Sequence, residues 1–207
     1  MDRSKLENPI VFFENWAKID KDEGMETGHA DSVKFMFKKI FEKQRQTFNF
    51  LDVGCGNGWA VRKMSYEDMC NYSAGIDGSV SMIQKAKSKD KVSEYFCENL
   101  MNWTPNMKYD VIHSMEVFYY FNHPKEILSK IYDNWLCDNG FFIFGIDHYR
   151  ENKLSLNWPQ ECGVFMKTHS INEWKEILLN VGFKNIDHWQ VGQKDDWCGT
   201  LIFAANK

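Results

Sequence analysis

The chain has 207 residues, enough for one domain with a substantial hydrophobic core and marginal for two. With 25 Lys and Arg against 29 Asp and Glu, its formal net charge is −4. The clustered positive charge at Lys85, Lys87, Lys89 and Lys91 ends a predicted helix and is broken by Asp90, so it reads as a solvated face, and nucleic acid is not expected as a partner. The six cysteines are scattered, with no Cys-x-x-Cys and no paired Cys/His spacing, which points to free thiols in a reducing compartment and to no metal site. The N-terminus lacks a leader-like apolar segment, and no apolar run approaches the ~20 residues of a membrane span. The expectation is a cytoplasmic monomer or homodimer with no membrane partner.

Asn8-Pro9 reads as a cap and first helical position, and Phe12, Phe13, Trp16 and Ile19 follow at helical spacing. Residues Asp20 to Ala30, acidic and containing two glycines, read as a loop, and a second helix is expected from a cap at Asp31 with Val33, Met36, Phe37, Ile40 and Phe41 on its apolar stripe. Residues 1–45 are thus expected as a helical cap belonging to the same domain as residues 46–207, lying across the mouth of a cleft. His29 either reaches that cleft or serves as a surface or capping histidine.

The apolar run Phe48 to Val53 leads directly into Gly54, Gly56 and Gly58, and a helical pattern starts at Trp59. A buried strand, a glycine bend and a helix N-terminus together present unpaired backbone N–H groups at a strand's carboxyl end. The dinucleotide fingerprint Gly-x-Gly-x-x-Gly would need a small third residue for close helix–strand packing, and that place is taken by Trp59. A nicotinamide cofactor is therefore disfavoured. A second strand ends at Asp77, followed by Gly78, 19 residues past Gly58, where a doubly wound fold places the carboxylate that binds a ribose. Asp77 also fits as a helix cap, although Ser79 already serves the helix from Val80 to Lys87.

A third strand, Glu94 to Cys97, runs into Glu98-Asn-Leu-Met-Asn-Trp-Thr-Pro105. The strand opened by Tyr109-Asp110 carries Ser114-Met115-Glu116 at its tip, then Phe118-Tyr-Tyr-Phe121 and a helix start at Pro124. At most two of those four aromatic residues are expected to face the same way. Tyr119 and Tyr120 either supply cation–π contacts to a positively charged ligand or belong to the core. His113 reads as buried structure and His123 as a helix cap. The helix Pro124 to Leu136 is expected to end in the C-terminal signal Asn139-Gly140, before a fifth strand from Phe141 to Ile146.

More than twenty residues with little periodicity then separate Asp147 from Ser170, and a loop this long following a strand's carboxyl end is expected to overhang the cleft. His148 would be its candidate proton acceptor, with Tyr149 or Arg150 to orient an anion, although a loop histidine is also commonly only solvated. Ser170-Ile-Asn-Glu173 is a capping box, its helix ends at Gly182, and two closely spaced strands, about Asn185 to Val191 and Gly199 to Ala205, must be antiparallel. Strands and helices alternate along the chain, the pattern of a doubly wound, mostly parallel α/β sheet covered on both faces.

The order Asp52-x-Gly54-x-Gly56-x-Gly58, the acid at Asp77, the Tyr109 to Pro124 stretch and the antiparallel last strand together resemble the class I, seven-stranded methyltransferases that use S-adenosylmethionine, small-molecule type, over about residues 46 to 207. The resemblance implies that Gly54, Cys55 and Gly56 wrap the methionine end of the cofactor and that Asp52 supports the loop. It also implies that Glu98, with Asn99 and Leu100, meets the adenine, and that Ser114, Met115 and Glu116 lie beside the sulfonium and ribose. It implies methyl transfer to a small-molecule acceptor through oxygen, nitrogen or sulfur by in-line displacement, leaving S-adenosylhomocysteine, with His29, Tyr119, Tyr120 and Arg150 toward the acceptor and His148 and Tyr149 as the catalytic candidates. A nucleic-acid or protein methyltransferase and a catalytically silent cofactor-binding subunit are the alternatives.

Overall fold

A computed structural model of the chain describes residues 6–207, so the first five residues of the expected cap lie outside the described residues. The elements in order are α1 (Pro9–Lys18), a 3-10 turn (Lys21–Glu23), α2 (Gly24–Lys43), β1 (Phe48–Val53), α3 (Trp59–Ser65), β2 (Cys70–Asp77), α4 (Val80–Lys89), β3 (Glu94–Cys97) and β4 (Tyr109–Met115). After a 3-10 turn at Phe118–Tyr120 come α5 (Pro124–Lys130), which continues as a π-helical turn over Ile131–Trp135, β5 (Leu136–Ile146), α6 (Trp158–Cys162), α7 (Ile171–Val181), β6 (Lys184–Val191) and β7 (Thr200–Asn206). Among the described residues, no helix is long and apolar enough to cross a membrane.

The strands form one seven-stranded sheet in the order β3-β2-β1-β4-β5-β7-β6. Every pairing is parallel except those of β7, which runs antiparallel to both β5 and β6. Side-chain alternation divides the core into two layers. Phe48 and Phe50 of β1 face a cluster with Met36, Phe37, Ile40, Trp59 and Met64 of α2 and α3, while Leu51 and Val53 face the opposite cluster with Ile127, Leu128, Trp135, Trp174 and Leu178 of α5 and α7. Chain order reverses between β1 and β4, and such a switch point opens a crevice at the strands' carboxyl ends.

Three expectations need correction. The segment Asp20 to Ala30 is mostly helix, because α2 starts at Gly24, and Asp31 is an exposed residue inside it rather than its cap. Only the first turns of α2 reach the crevice, through Met25 and His29, whereas Val33, Met36, Phe37 and Ile40 are buried against the sheet. The helix from Pro124 ends at Trp135, within one residue of the expected Leu136, but Asn139-Gly140 is no helix stop: β5 already starts at Leu136, and Asn139, with φ +63°, sits within it where its pairing with β4 shifts register.

Candidate active site

The bend after β1 holds all three of its glycines in the left-handed region, with φ of +72° at Gly54, +53° at Gly56 and +75° at Gly58. Any other residue is strained there, and a Cβ at Gly54 would stand 2.3 Å from Cγ2 of Val117. The backbone N–H groups of Gly54 and Cys55 both donate to the carbonyl of Ile76, at 2.8 and 3.0 Å, which ties the bend to β2. At the tip of β2 the Asp77 carboxylate accepts from the N–H of Gly56 at 3.0 Å and of Ser79 at 2.8 Å. Burial raises its pKa, opposed by those two amides.

A cavity of about 530 Å³ opens over this bend. Gly54, Gly56, Asp77, Gly78, Asn99 and Leu100 form one half of its wall. Of the expected Glu98, Asn99 and Leu100, the last two lie on the wall, whereas Glu98 is exposed and off it. Asp52, Cys55 and Ser114 are also off the wall, because they sit behind it. Asp52 is buried against His113, Oδ1 to Nδ1 2.7 Å, the Ser114 hydroxyl donates to the Val53 carbonyl at 2.7 Å, and Cys55 fills the space beside Gly75. These three shape the bend from within the sheet.

The other half of the wall is built from side chains. Met115, Glu116 and Val117 extend from β4, and Tyr119, Tyr120 and Phe121 follow, so three of the four clustered aromatics line the cavity, Tyr119 while also packed in the core, and Phe118 lies wholly in the core. The 3-10 turn followed by extended backbone at Phe121 makes this possible. Phe12, Phe13 and Trp16 of α1 roof the cavity, Met25 and His29 of α2 close one side, and Trp158, Glu161 and Cys162 of α6 with Met166 close another. Trp197, in the β6–β7 turn, stacks on Trp158 with ring centroids 6.0 Å apart.

Glu116 is the one acid on this half whose backbone is left-handed, with φ +61°. Its Oε2 accepts from the Tyr119 hydroxyl at 2.6 Å and its Oε1 from the N–H of Asp147. Burial, with the nearby Asp147 carboxylate, pushes its pKa well above the usual carboxylate range. Asp147 is buried at the end of β5, its Oδ2 3.8 Å from Nδ1 of His29. Burial lowers the pKa of His29 and raises that of Asp147, so both are driven toward their neutral forms.

The segment after β5 does not present the groups expected of it. It folds back inward, held by Asn152 donating to the Asp147 carbonyl at 2.8 Å and by the N–H of Arg150 donating to the His169 carbonyl at 2.9 Å. His148 is fully buried, with Nδ1 2.9 Å from the Ser155 carbonyl and Nε2 2.8 Å from the Thr168 hydroxyl. Tyr149 is buried too, its hydroxyl donating to the carbonyl of Gly199 at 2.9 Å, and Arg150 points outward to Glu173 at 2.9 Å. None of the three reaches the cavity; the same loop instead contributes Trp158, Glu161, Cys162 and Met166. His123 occupies the cap position of α5 but makes no capping bond.

Two polar clamps hold the roof down. Glu14 of α1 accepts from the Ser79 hydroxyl at 2.7 Å, the Ser81 hydroxyl at 2.6 Å and the Ser81 N–H at 2.9 Å, and the Ser81 bonds lead in lowering its pKa to about 2. Lys85, from the cluster read as a solvated face, bridges Asp20 and Asp22 at 2.6 Å each, and the buried Asp22 also accepts from Asn57 in the glycine bend at 2.8 Å. Gly78 completes the seat of α1, since a Cβ there would meet Ile10 at 2.6 Å. Phe12, Phe13 and Trp16 show in the sequence only as an apolar stripe, and Met25, Glu161 and Met166 leave no sequence signal.

The chain is 25% identical over 142 residues to a malonyl-acyl-carrier protein O-methyltransferase of Bacillus anthracis, covering 63% of this chain and 53% of that one. It is 29% identical over 173 residues to malonyl-acyl-carrier protein O-methyltransferase 1 of Ilyobacter polytropus, covering 80% and 60%. It thus spans about half the length of the first of these relatives. Among solved structures, a methyltransferase complexed with the Trm112 methyltransferase activator of Haloferax volcanii superposes with a TM-score of 0.80 at 23% identity, covering 94% of this chain and 96% of that one. A family profile described as a methyltransferase domain matches residues 22–188.

Proposed function

The chain belongs to the methyltransferase-domain family, whose cofactor is S-adenosylmethionine, and on that premise we propose that it transfers the cofactor's methyl group to a small-molecule acceptor. The observation that carries the acceptor class is the roofed cavity of about 530 Å³ that joins the glycine bend to the aromatic half, a volume in the range of small-ligand sites. Wall residues fit the cofactor. The backbone is bare of side chains at Gly54 and Gly56, a half-buried carboxylate stands at Asp77 with lone pairs beyond those its two amides take, and Leu100 offers an apolar surface next to Asn99. In this reading Asp77 meets the ribose hydroxyls, Gly54 and Gly56 the amino-acid end, and Asn99 with Leu100 the base.

Bound there, S-adenosylmethionine supplies an electrophilic methyl group, and its sulfur keeps the bonding pair as S-adenosylhomocysteine remains. The chain's own part is alignment and the exclusion of water, which can together account for roughly 7–11 kcal/mol of a barrier. The aromatic roof of α1 keeps bulk water from the acceptor half, and Glu14 and Lys85 hold that roof against α4. His148, locked between Ser155 and Thr168, takes no proton in this scheme.

Calorimetry with S-adenosylmethionine, S-adenosylhomocysteine and NADH tests the cofactor, with binding expected only for the first two. Formation of S-adenosylhomocysteine in the presence of a small-molecule fraction, a polynucleotide, or a malonyl group on acyl-carrier protein tests the acceptor. Turnover is expected with the first, and turnover confined to either of the others overturns the small-molecule reading.

A further inference from the structure

We propose that the acceptor is an amine that arrives as an ammonium ion and that the carboxylate of Glu116 receives it and takes its proton, making the reaction an N-methylation. The inference rests on the methyl-transfer reading above and narrows its acceptor.

Charge comes first. Among the described residues, no Lys or Arg lines the cavity, while Asp77, Glu116 and Glu161 do, and the buried Asp147 adjoins Glu116 through its backbone bond. An acceptor carrying a carboxylate or phosphate would meet no Lys or Arg as a counter-ion among the described residues, and an unpaired charge is costly in a water-poor space. The cofactor's sulfonium brings one positive charge, against three acids on the wall. The acceptor half therefore has room for a second cation.

Shape agrees with charge. Trp16, Phe13, Tyr120 and Tyr119 form a continuous aromatic series, with neighbouring centroids 5.7, 5.5 and 4.4 Å apart, and the series ends where the Tyr119 hydroxyl donates to Glu116. Aromatic faces attract a desolvated cation. Each Glu116 oxygen accepts one bond from the protein, which leaves lone pairs for an ammonium N–H. Glu116 also holds a left-handed backbone, a conformation that favours glycine, and a strained residue carrying a carboxylate into a cavity marks function.

The charged and titratable groups around Glu116 are Tyr119 and Tyr120 from the following turn, Asp147 from the end of β5 and, beyond Asp147, His29 from α2. Burial and the Asp147 carboxylate raise the proton affinity of Glu116, which makes its carboxylate a stronger base toward the ammonium proton. In the step itself an ammonium N–H bond breaks and its proton passes to Glu116. The freed nitrogen lone pair forms the N–C bond to the methyl group as the pair of the methyl–sulfur bond goes to sulfur, and Glu116 then releases the proton to water. Ammonium and sulfonium become a methylated ammonium, a thioether and one proton.

The test is calorimetry on the full chain saturated with S-adenosylhomocysteine, using two apolar bodies with three heads each: 2-phenylethylamine, 2-phenylethanol and phenylacetate, and 3-methylbutylamine, 3-methylbutanol and 3-methylbutanoate. For at least one body the amine is expected to bind about tenfold tighter than its alcohol, with the acid weakest. Glu116→Gln should bring the amine-to-alcohol ratio close to one, while Glu116→Asp keeps a preference. Alcohol or acid binding tighter than amine on both bodies overturns the proposal in the wild-type chain alone, and so does a ratio that survives Glu116→Gln. Wild-type protein that fails to bind S-adenosylhomocysteine overturns the methyl-transfer reading itself.

Discussion

The two halves of the cavity are made of different material. On the side proposed for the cofactor the wall includes bare main chain, a bend of left-handed glycines pinned by strand-tip amides. On the acceptor side nearly everything is side chain, drawn from α1, α2, the turn after β4 and α6, which are distant in sequence. A backbone site tolerates most neighbouring substitutions and fails when a Cβ appears, whereas a side-chain site can be re-tuned one residue at a time. The first suits a fixed ligand and the second a changing one.

Gly54→Ala should break the first half most completely. Its Cβ meets Val117 and its φ is strained, so cofactor affinity should fall by ~100-fold or more by calorimetry, and adding Val117→Ala should restore only part of it. Asp77→Ala leaves the amides of Gly56 and Ser79 without their acceptor and should weaken cofactor binding roughly 10- to 100-fold.

Glu14→Ala frees one end of the roof and is expected to weaken ligand binding by about 3- to 10-fold, read from dissociation rates. Because the folded pKa of Glu14 is depressed to about 2 from 4.5, the clamp is fully present above pH 4.5 and is lost as pH falls toward 2. The smallest functional effect belongs to His148→Asn, which should leave cofactor affinity within about twofold while lowering Tm, at about 2–4 °C per kcal/mol lost. Burial lowers the pKa of His148 below its ordinary 6.5, so its neutral form contributes stability above pH 6.5 that drains away as pH falls. The Asn variant should flatten that slope in a pH series of melting curves.

The same division governs what could be read before any coordinates. A strand, a glycine bend and an acid on the next strand tip are local patterns with few physical solutions, which is why Gly54, Gly56, Asp77 and the capping box at Ser170 and Glu173 stand where spacing puts them. The antiparallel last pair followed from its short connection. The beginning of α2 was hidden because Gly24 and Gly28 read as loop formers, while packing of Met25 and His29 against the cavity and the Asp22 clamp favour helix there. His148, Tyr149 and Arg150 misled for the opposite reason. Position after a strand tip says where a loop begins, but the inward fold fixed by Asn152 and Ser155 decides which way its side chains turn.

Cys162, on the short helix α6, is an exposed thiol that borders only the side-chain half of the cavity. An alkylating reagent attached there would plug the acceptor chamber and leave the glycine bend open. One covalent modification would thus yield a protein that still takes up the nucleoside yet has nowhere to seat the group it methylates.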